Sequence, residues 1–176
     1  RMKDLLGDRY EEYVATLDLP PYKGFRINTL KISEEEFFER FPLRCHHSPF
    51  ASDAYVLDED TLLGNSLAHR LGLMYLQEPS AASAVEVLDP KPGDYILDLC
   101  AAPGSKSTQI AVRMKGEGLL VSNEYDHKRA QVLLSNIERL GIGNAVVTNA
   151  TVDRLCPILE ESMDKVLVDA PCSGEG

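Results

Sequence analysis

The chain has 176 residues and a formal charge of −10, with 44% hydrophobic and 26% charged residues. That balance excludes a disordered chain and suits one domain with a smaller appendage. The acidic excess is against nucleic-acid affinity as a bulk property, because phosphate contacts need Lys and Arg to displace counterions, so any such affinity has to be local.

In chain order, apolar residues at Leu5, Leu6, Tyr10, Tyr13, Val14 and Leu17 recur at helical spacing, and Pro20-Pro21 ends this first helix. Gly24 to Leu30 reads as a short strand. Ser33 followed by Glu36 has the capping-box pattern for a helix over Glu34 to Arg40, and Ala54 to Leu57 is a second short strand. Asn65 to Gly72 fits a helix or an irregular segment. From about Pro79 the period alternates regularly between helix and strand. Ala81 to Leu88 is helical, Lys91-Pro92-Gly93-Asp94 turns, Tyr95 to Leu99 is a buried strand, and Lys106 to Met114 is a helix closed by Gly116. Leu119 to Asn123 is the next strand. Asp126 then caps a longer helix with Ala130, Leu133, Leu134, Ile137 and Leu140 on one face, and Gly141 stops it. Ala145 to Thr148 is a strand, Val152 to Glu160 a short helix interrupted by Pro157, and Lys165 to Val168 a further strand. Strands separated by helices predict βαβ units, a parallel sheet and right-handed crossovers. With strand order 3-2-1-4 the ligand crevice opens between the first and fourth strands. The division expected is a small α/β domain over residues 1–75 and the first part of a Rossmann-like α/β domain over 76–176.

Two stretches carry chemistry. Tyr95-Ile96-Leu97-Asp98-Leu99-Cys100-Ala101-Ala102-Pro103-Gly104-Ser105-Lys106-Ser107 is an apolar strand running through small residues into a helix, which lets backbone N–H groups approach a ligand closely. Small side chains at Ala101, Ala102 and Gly104 keep the backbone open, Pro103 fixes the turn, and the helix end offers unpaired N–H groups suited to a carboxylate or phosphate. The loop lacks the Gly-x-Gly-x-x-Gly spacing of nicotinamide sites and the Gly-Lys-Ser/Thr ending of a P-loop. The second stretch, Val166-Leu167-Val168-Asp169-Ala170-Pro171-Cys172-Ser173-Gly174-Glu175-Gly176, is another strand ending on Asp, Pro and Cys, so both loops face one crevice. Glu124 ends the strand between them, where a carboxylate can accept hydrogen bonds from both hydroxyls of a ribose.

These motifs resemble the RNA cytosine-5 methyltransferases of the NOL1/NOP2/Sun family, and more narrowly its bacterial ribosomal RNA enzymes. Phe25-Arg26-Ile27-Asn28-Thr29-Leu30-Lys31 is similar to the family's Arg-x-Asn element, Tyr75-Leu76-Gln77-Glu78-Pro79-Ser80-Ala81 to the segment entering its catalytic domain, and Ser122-Asn123-Glu124 to its ribose-binding site. The resemblance implies a Rossmann-like S-adenosylmethionine-dependent methyltransferase fold, with Cys100, Ala101, Ala102, Pro103, Gly104, Ser105, Lys106, Glu124 and Asp169 binding S-adenosylmethionine. Ser105 stands where Gly is common. The adenine contact stays open among Thr151, Asn149 and Asp153, with Asp153 facing solvent as the plainer alternative.

For catalysis the resemblance implies two cysteines. Cytosine C5 is a weak nucleophile, so a thiolate adds to C6 before methyl transfer and C5 proton loss releases the enzyme. In the family the Pro-Cys cysteine, here Cys172, assists release, and a later Thr-Cys cysteine bonds the base. In DNA cytosine-5 methyltransferases the Pro-Cys cysteine is the nucleophile, so the motif alone permits either role. Asp169 would hold the cytosine's N3 and amine edge or the cofactor. No Thr-Cys pair precedes Gly176, and the chain reads as the amino-terminal part of such an enzyme, inactive alone. The alternatives are a cofactor-binding or RNA-assembly module without catalysis, and a small-molecule methyltransferase, which would need no Pro-Cys pair.

The remaining residues weigh less. The cysteines are scattered with no Cys-x-x-Cys pair, which fits reduced thiols in a cytoplasmic protein. Cys45-His46-His47 is read as a solvated loop, so no metal is expected; Cys156 is expected in the core. Arg26 and Asn28 support either the domain junction or an RNA strand, and Lys128 and Arg129 lie on a solvated helix face. No apolar run suits a membrane span and no signal peptide is recognisable. The expected partner is RNA, ribosomal RNA or a ribosomal subunit, with no DNA, no membrane and a monomeric enzyme.

Overall fold

The computed structural model describes residues 1–59 and 61–170 and contains two four-stranded sheets. The first is antiparallel, in the order β2-β3-β1-β4, from β1 (Gly24–Ile27), β2 (Cys45–His47), β3 (Ala54–Leu57) and β4 (Met74–Leu76). The second is parallel, in the order β7-β6-β5-β8, from β5 (Tyr95–Asp98), β6 (Leu119–Asn123), β7 (Ala145–Thr148) and β8 (Lys165–Leu167). Numbered within this sheet the order is 3-2-1-4, the arrangement that puts the crevice between the first and fourth strands. The crevice of such a sheet lies where the order reverses, between β5 and β8.

Helix limits follow from caps. In α3 (Glu34–Arg40) the Ser33 hydroxyl accepts from the Glu36 N–H at 3.2 Å while the Glu36 carboxylate accepts from the Ser33 N–H, completing the capping box. In α7 (His127–Leu140) the Asp126 carboxylate accepts from the Arg129 N–H at 2.9 Å, and Gly141, in left-handed conformation, ends the helix. Ala130, Leu133, Ile137 and Leu140 of α7 are buried, but Leu134, expected on that face, is 44% exposed. The chain also forms α5 (Ser83–Leu88), α6 (Ser105–Arg113) and α8 (Val152–Leu159), with Pro157 inside α8.

Several segments differ from the sequence reading. The first helix is two, α1 (Met2–Leu6) and α2 (Tyr10–Leu17), separated at Gly7, whose φ of 53° no continuous right-handed helix allows. Neither buries a residue, so helical spacing there does not mark a core face. Cys45-His46-His47 is an edge strand rather than a loop, with His46 Nδ1 2.6 Å from Asp58 Oδ1. Ser66 caps the undecided segment as α4 (Leu67–Arg70). The helix expected from Ala81 begins as a 3₁₀ turn at Pro79–Ala82, because the Glu78 carboxylate takes the Ser80 and Ala81 N–H groups. The boundary drawn at residue 75 falls inside β4, whose Leu76 pairs with Phe25. Cys156 is half-buried rather than in the core, lining a groove with Leu97, Leu99 and Met163.

The two sheets meet through backbone carbonyls at the end of α7. Asn28, buried, donates through Nδ2 to Gly72 O and Leu140 O, both at 2.8 Å. Lys31 Nζ donates to Arg139 O at 2.7 Å and Leu71 O at 3.0 Å. A helix's last carbonyls lack intrahelical donors and attract cations, so these side chains satisfy the C-terminal end of α7. Arg139 donates in the opposite direction, to His69 O at 2.6 Å. The approach is close: a Cβ on Gly72, at φ +67°, would lie 2.0 Å from Arg139 O, whereas one on Gly93, at φ +91°, would meet open space. Gly72→Ala is therefore expected to cost about 2–4 kcal/mol, from strain plus steric displacement, and Gly93→Ala only about 1 kcal/mol from strain alone. Urea denaturation of both variants checks this; equal losses would show that the junction yields freely.

Candidate functional site

The carboxyl ends of β5, β6 and β8 carry the residues singled out from the sequence. The loop after β5 is sewn to both neighbours: Leu99 N–H donates to Leu167 O at 3.0 Å and Ala101 N–H to Asn123 O at 2.8 Å. Ala101 and Ala102 are buried, and Gly104, at φ +109°, leads into α6. Gly104's φ of +109° is a conformation that side-chain-bearing residues rarely adopt, and a Cβ there would also stand a tight 3.1 Å from the Leu133 side chain of α7. Helix geometry leaves the N–H groups of Ser105, Lys106 and Ser107 without intrahelical acceptors, and among the described residues no side chain caps them.

Each residue of that first turn is held by a different element. Lys106 Nζ donates to Asp169 Oδ2, just beyond β8, at 2.6 Å; the lysine side chain is 15% exposed and the aspartate 58%. Ser107 Oγ donates to Asp98 Oδ2 at 2.6 Å, and Ser122 Oγ of β6 donates to Ser107 Oγ at 2.9 Å. Asp98, Ser107 and Ser122 are all buried. Asp98 Oδ1 is buried with no hydrogen-bond partner among the described residues. Burial pushes the Asp98 carboxyl up from 3.8 to about 6, against the lowering effects of the Ser107 hydroxyl and Lys106.

Glu124 follows β6 and is 5% exposed. Its Oε1 accepts from the Asp126 N–H at 2.9 Å, and its Oε2 lies 3.5 Å from Arg129 Nη2. That nitrogen also donates to Ala102 O at 2.9 Å, so Arg129 braces the acid against the loop. Lys128 and Arg129 are both exposed, as expected of a solvated helix face, and Arg129 in addition reaches the loop and Glu124 from the first turn of α7. Asn123 bridges three strands' ends, donating to Leu99 O and Ala150 O, both at 3.1 Å, and accepting from Thr148 Oγ1 at 2.9 Å.

Among the adenine candidates, Asn149 donates through Nδ2 to Glu124 O at 2.7 Å and Tyr125 O at 2.8 Å, so its amide shapes the loop around the acid. Thr151 is the N-cap position of α8, and Asp153 is exposed in that helix's first turn. Cys100 is half-buried, and burial together with Glu124, Asp98 and Asp169 raises its thiol, which disfavours a thiolate there. Cys172 and Pro171 lie outside the described residues. The structure thus brings together Cys100, Ala101, Ala102, Pro103, Gly104, Ser105, Lys106, Glu124 and Asp169. The reading gave no role to Asp98, Ser107, Ser122 or Arg129. A signal existed for Asp98: a carboxylate ending a strand buried on both faces needs a reason.

A parallel sheet with this order, a small-residue loop opening a helix at its centre and a buried acid after the neighbouring strand define a Rossmann-like methyltransferase fold. The chain belongs to the family described as 16S rRNA methyltransferase RsmB/F, whose profile matches residues 85–176. The profile described as the N-terminal domain of 16S rRNA methyltransferase RsmF matches residues 1–79. Among curated relatives, ribosomal RNA small subunit methyltransferase F of Vibrio campbellii is 42% identical over 174 residues, covering 94% of this chain and 36% of the relative. The protein of the same name from Pectobacterium atrosepticum is 41% identical over 187 residues, covering 99% and 38%. The chain therefore spans little more than a third of the length of these relatives. A methyltransferase homolog protein from Pyrococcus horikoshii superposes with a TM-score of 0.91 at 31% identity, covering 100% of this chain and 59% of that one. NSun6 from Pyrococcus horikoshii with SFG superposes at 0.85, covering 97% and 69%; at 20% identity this speaks to the fold alone. Among the described residues no helix is long and apolar enough to cross a membrane.

The raised Asp98 carboxyl makes stability depend on pH. Between 3.8 and about 6 the folded chain keeps a proton that the unfolded chain has released, so this group's contribution is intact below that window and lost as pH rises through it. Asp98→Asn removes the titration while keeping an acceptor for Ser107. Relative to wild type, the variant is expected to gain roughly 3 kcal/mol between a pH well below this window and one well above it. Denaturant unfolding at both pH values reads it; parallel behaviour of the two proteins would show Asp98 ionised throughout.

Proposed function

We propose that the protein to which this chain belongs methylates C5 of cytosine in RNA, ribosomal RNA of the small subunit being the substrate, with S-adenosylmethionine as methyl donor and in the cytoplasm. In this reading the residues through β4, which ends at Leu76, form an amino-terminal α/β domain that contributes to RNA contact, and the rest form the first half of the catalytic domain, in a monomer that needs neither DNA nor membrane. The observation that carries the proposal is the Lys106–Asp169 pair at 2.6 Å, which joins the loop after β5 to the end of β8 across the switch point of the sheet.

The residues present fit the cofactor. The open N–H groups at the start of α6 suit the carboxylate of its methionine part, and the unpartnered Asp98 Oδ1 is a buried acceptor beside the loop. Cys100 to Lys106 would hold that part, Glu124 the ribose hydroxyls, and Asp169 the cofactor or the N3 and amine edge of the base. S-adenosylmethionine supplies an electrophilic methyl group. A thiolate added at C6 makes C5 nucleophilic, and the family pattern assigns that thiolate to a Thr-Cys cysteine beyond Gly176 and release to Cys172. Asp169, more than half exposed, is open to substrate while Lys106 fixes its carboxylate.

Three outcomes follow. Glu124→Ala in the full-length enzyme is expected to weaken S-adenosylmethionine binding by about 1.5–3 kcal/mol, the range for hydrogen bonds to a charged group. Unchanged affinity by calorimetry would remove Glu124 from the ribose. Cys172→Ala is expected to accumulate a covalent protein–RNA adduct, seen as a shifted, protease-sensitive band on a denaturing gel. Its absence in folded, cofactor-bound protein would make Cys172 the nucleophile. Purified residues 1–176 are expected to transfer no methyl group, and turnover by them would refute the two-cysteine division.

A further inference from the structure

Arg26, in the middle strand of the antiparallel sheet, reaches across to the cofactor loop of the parallel one. It is 2% exposed, and burial lowers its pKa to about 10. Its Nη2 donates to Ser105 O, in the first turn of α6, at 2.7 Å and to Thr108 Oγ1 at 3.0 Å; Thr108 Oγ1 in turn donates to Ser105 O at 3.1 Å. Arg26 Nε donates to Gln77 Oε1 at 2.5 Å, and the guanidinium lies over the Tyr75 ring, 5.4 Å from its centroid. Its charge is answered by carbonyl and hydroxyl oxygens, with Asp53 attracting it through space.

A junction alone does not call for this residue. Burying a cation is costly, and an apolar side chain of similar volume often packs as well or better. The neighbours Phe25 and Ile27 already close an apolar core on their own sheet. The Gln77 amide that accepts from Arg26 also leaves its Nε2 buried without a partner among the described residues, a cost that packing does not explain. What an apolar residue cannot do is hold the Ser105 carbonyl.

We propose that Arg26 is a positioning residue for the cofactor: by gripping Ser105 O it sets the first turn of α6, and with it the direction of the Ser105 to Ser107 N–H groups and of Lys106 towards Asp169. This rests on the reading of the loop as the S-adenosylmethionine site. The amino-terminal sheet thereby shapes the cofactor site without lining it.

The test uses full-length enzyme, with S-adenosylhomocysteine as the calorimetric probe. Arg26→Met keeps the volume and removes the donors. Its unfolding midpoint is expected to stay near wild type, while the dissociation constant for the probe and the KM for S-adenosylmethionine rise about tenfold, equivalent to about 1.4 kcal/mol. The KM for RNA is expected to hold. Arg26→Lys, whose ammonium can reach one oxygen, is expected to recover part of the loss. A folded Arg26→Met with wild-type affinity overturns the proposal, as does an equal rise in both KM values. If Arg26→Met does not fold, Thr108→Val carries the test by removing the hydroxyl shared by Arg26 and Ser105: a rise of about threefold supports the proposal and unchanged affinity overturns it. Wild-type enzyme that fails to bind the probe overturns the reading of the site itself, and the inference with it, whereas a binding wild type with unaffected variants overturns the inference alone.

Discussion

The first turn of α6 is the point on which the rest of the structure converges. Successive helical residues project about 100° apart, so three in a row can be tied in three directions. Ser105 is tied to β1 through Arg26, Lys106 to the end of β8 through Asp169, and Ser107 to the ends of β5 and β6 through Asp98 and Ser122. A helix end held on three sides has little freedom to rotate or slide. Its open N–H groups are therefore preorganised, which is how a protein binds a charged group without the cost of ordering a loop.

That arrangement places charge where solvent cannot reach it. Asp98 keeps an unpartnered oxygen and a raised pKa, and Arg26 is buried among neutral oxygens. Glu124 is nearly covered and braced by Arg129. Buried ionic groups are weak contributors to stability, and stability comes instead from the apolar clusters beneath them. One cluster gathers Ile96, Ile110, Met114, Leu120, Leu133 and Leu140 under the loop; another gathers Phe25, Phe37, Tyr55 and Met74 in the antiparallel sheet. The Arg-x-Asn segment links them, since Arg26 and Asn28 both donate to backbone carbonyls of the parallel domain. Asn28 closes the junction at the end of α7, and Arg26 crosses it to hold Ser105 O.

Local chemistry made much of the parallel domain legible. Asp126 and Gly141 bracket α7 because a cap side chain and a left-handed glycine act within a turn of their own position. β6 and β7 begin and end where apolar runs meet polar residues, and strands alternating with helices marked the βαβ units of a parallel sheet. The antiparallel sheet was half hidden. β2 is the short edge strand Cys45–His47, and β4 has three residues; neither is long enough to show a period, and each exists because β3 or β1 pairs with it. In the first seventeen residues the period was present without the burial it usually marks, since Gly7 breaks the helix and no other described element covers it.

The sequence by itself marked out the loop, the acid and the aspartate of the candidate site, because Cys100 to Lys106, Glu124 and Asp169 each follow a recognisable strand and the ends of parallel strands share an edge. Tertiary structure decided which partners those residues take. Arg26 lies 79 positions from Ser105, and Lys106 lies 63 from Asp169. Separations of that size leave no periodic trace. The carbonyl that Arg26 grips is a backbone group every residue has, so no residue type announces it. Arg129 reads as one more charge on a helix until the turn of that helix puts it beside Ala102 and Glu124. Side-chain identity sets what a group can do; only the fold, by bringing distant segments within hydrogen-bond range, sets what it does it to.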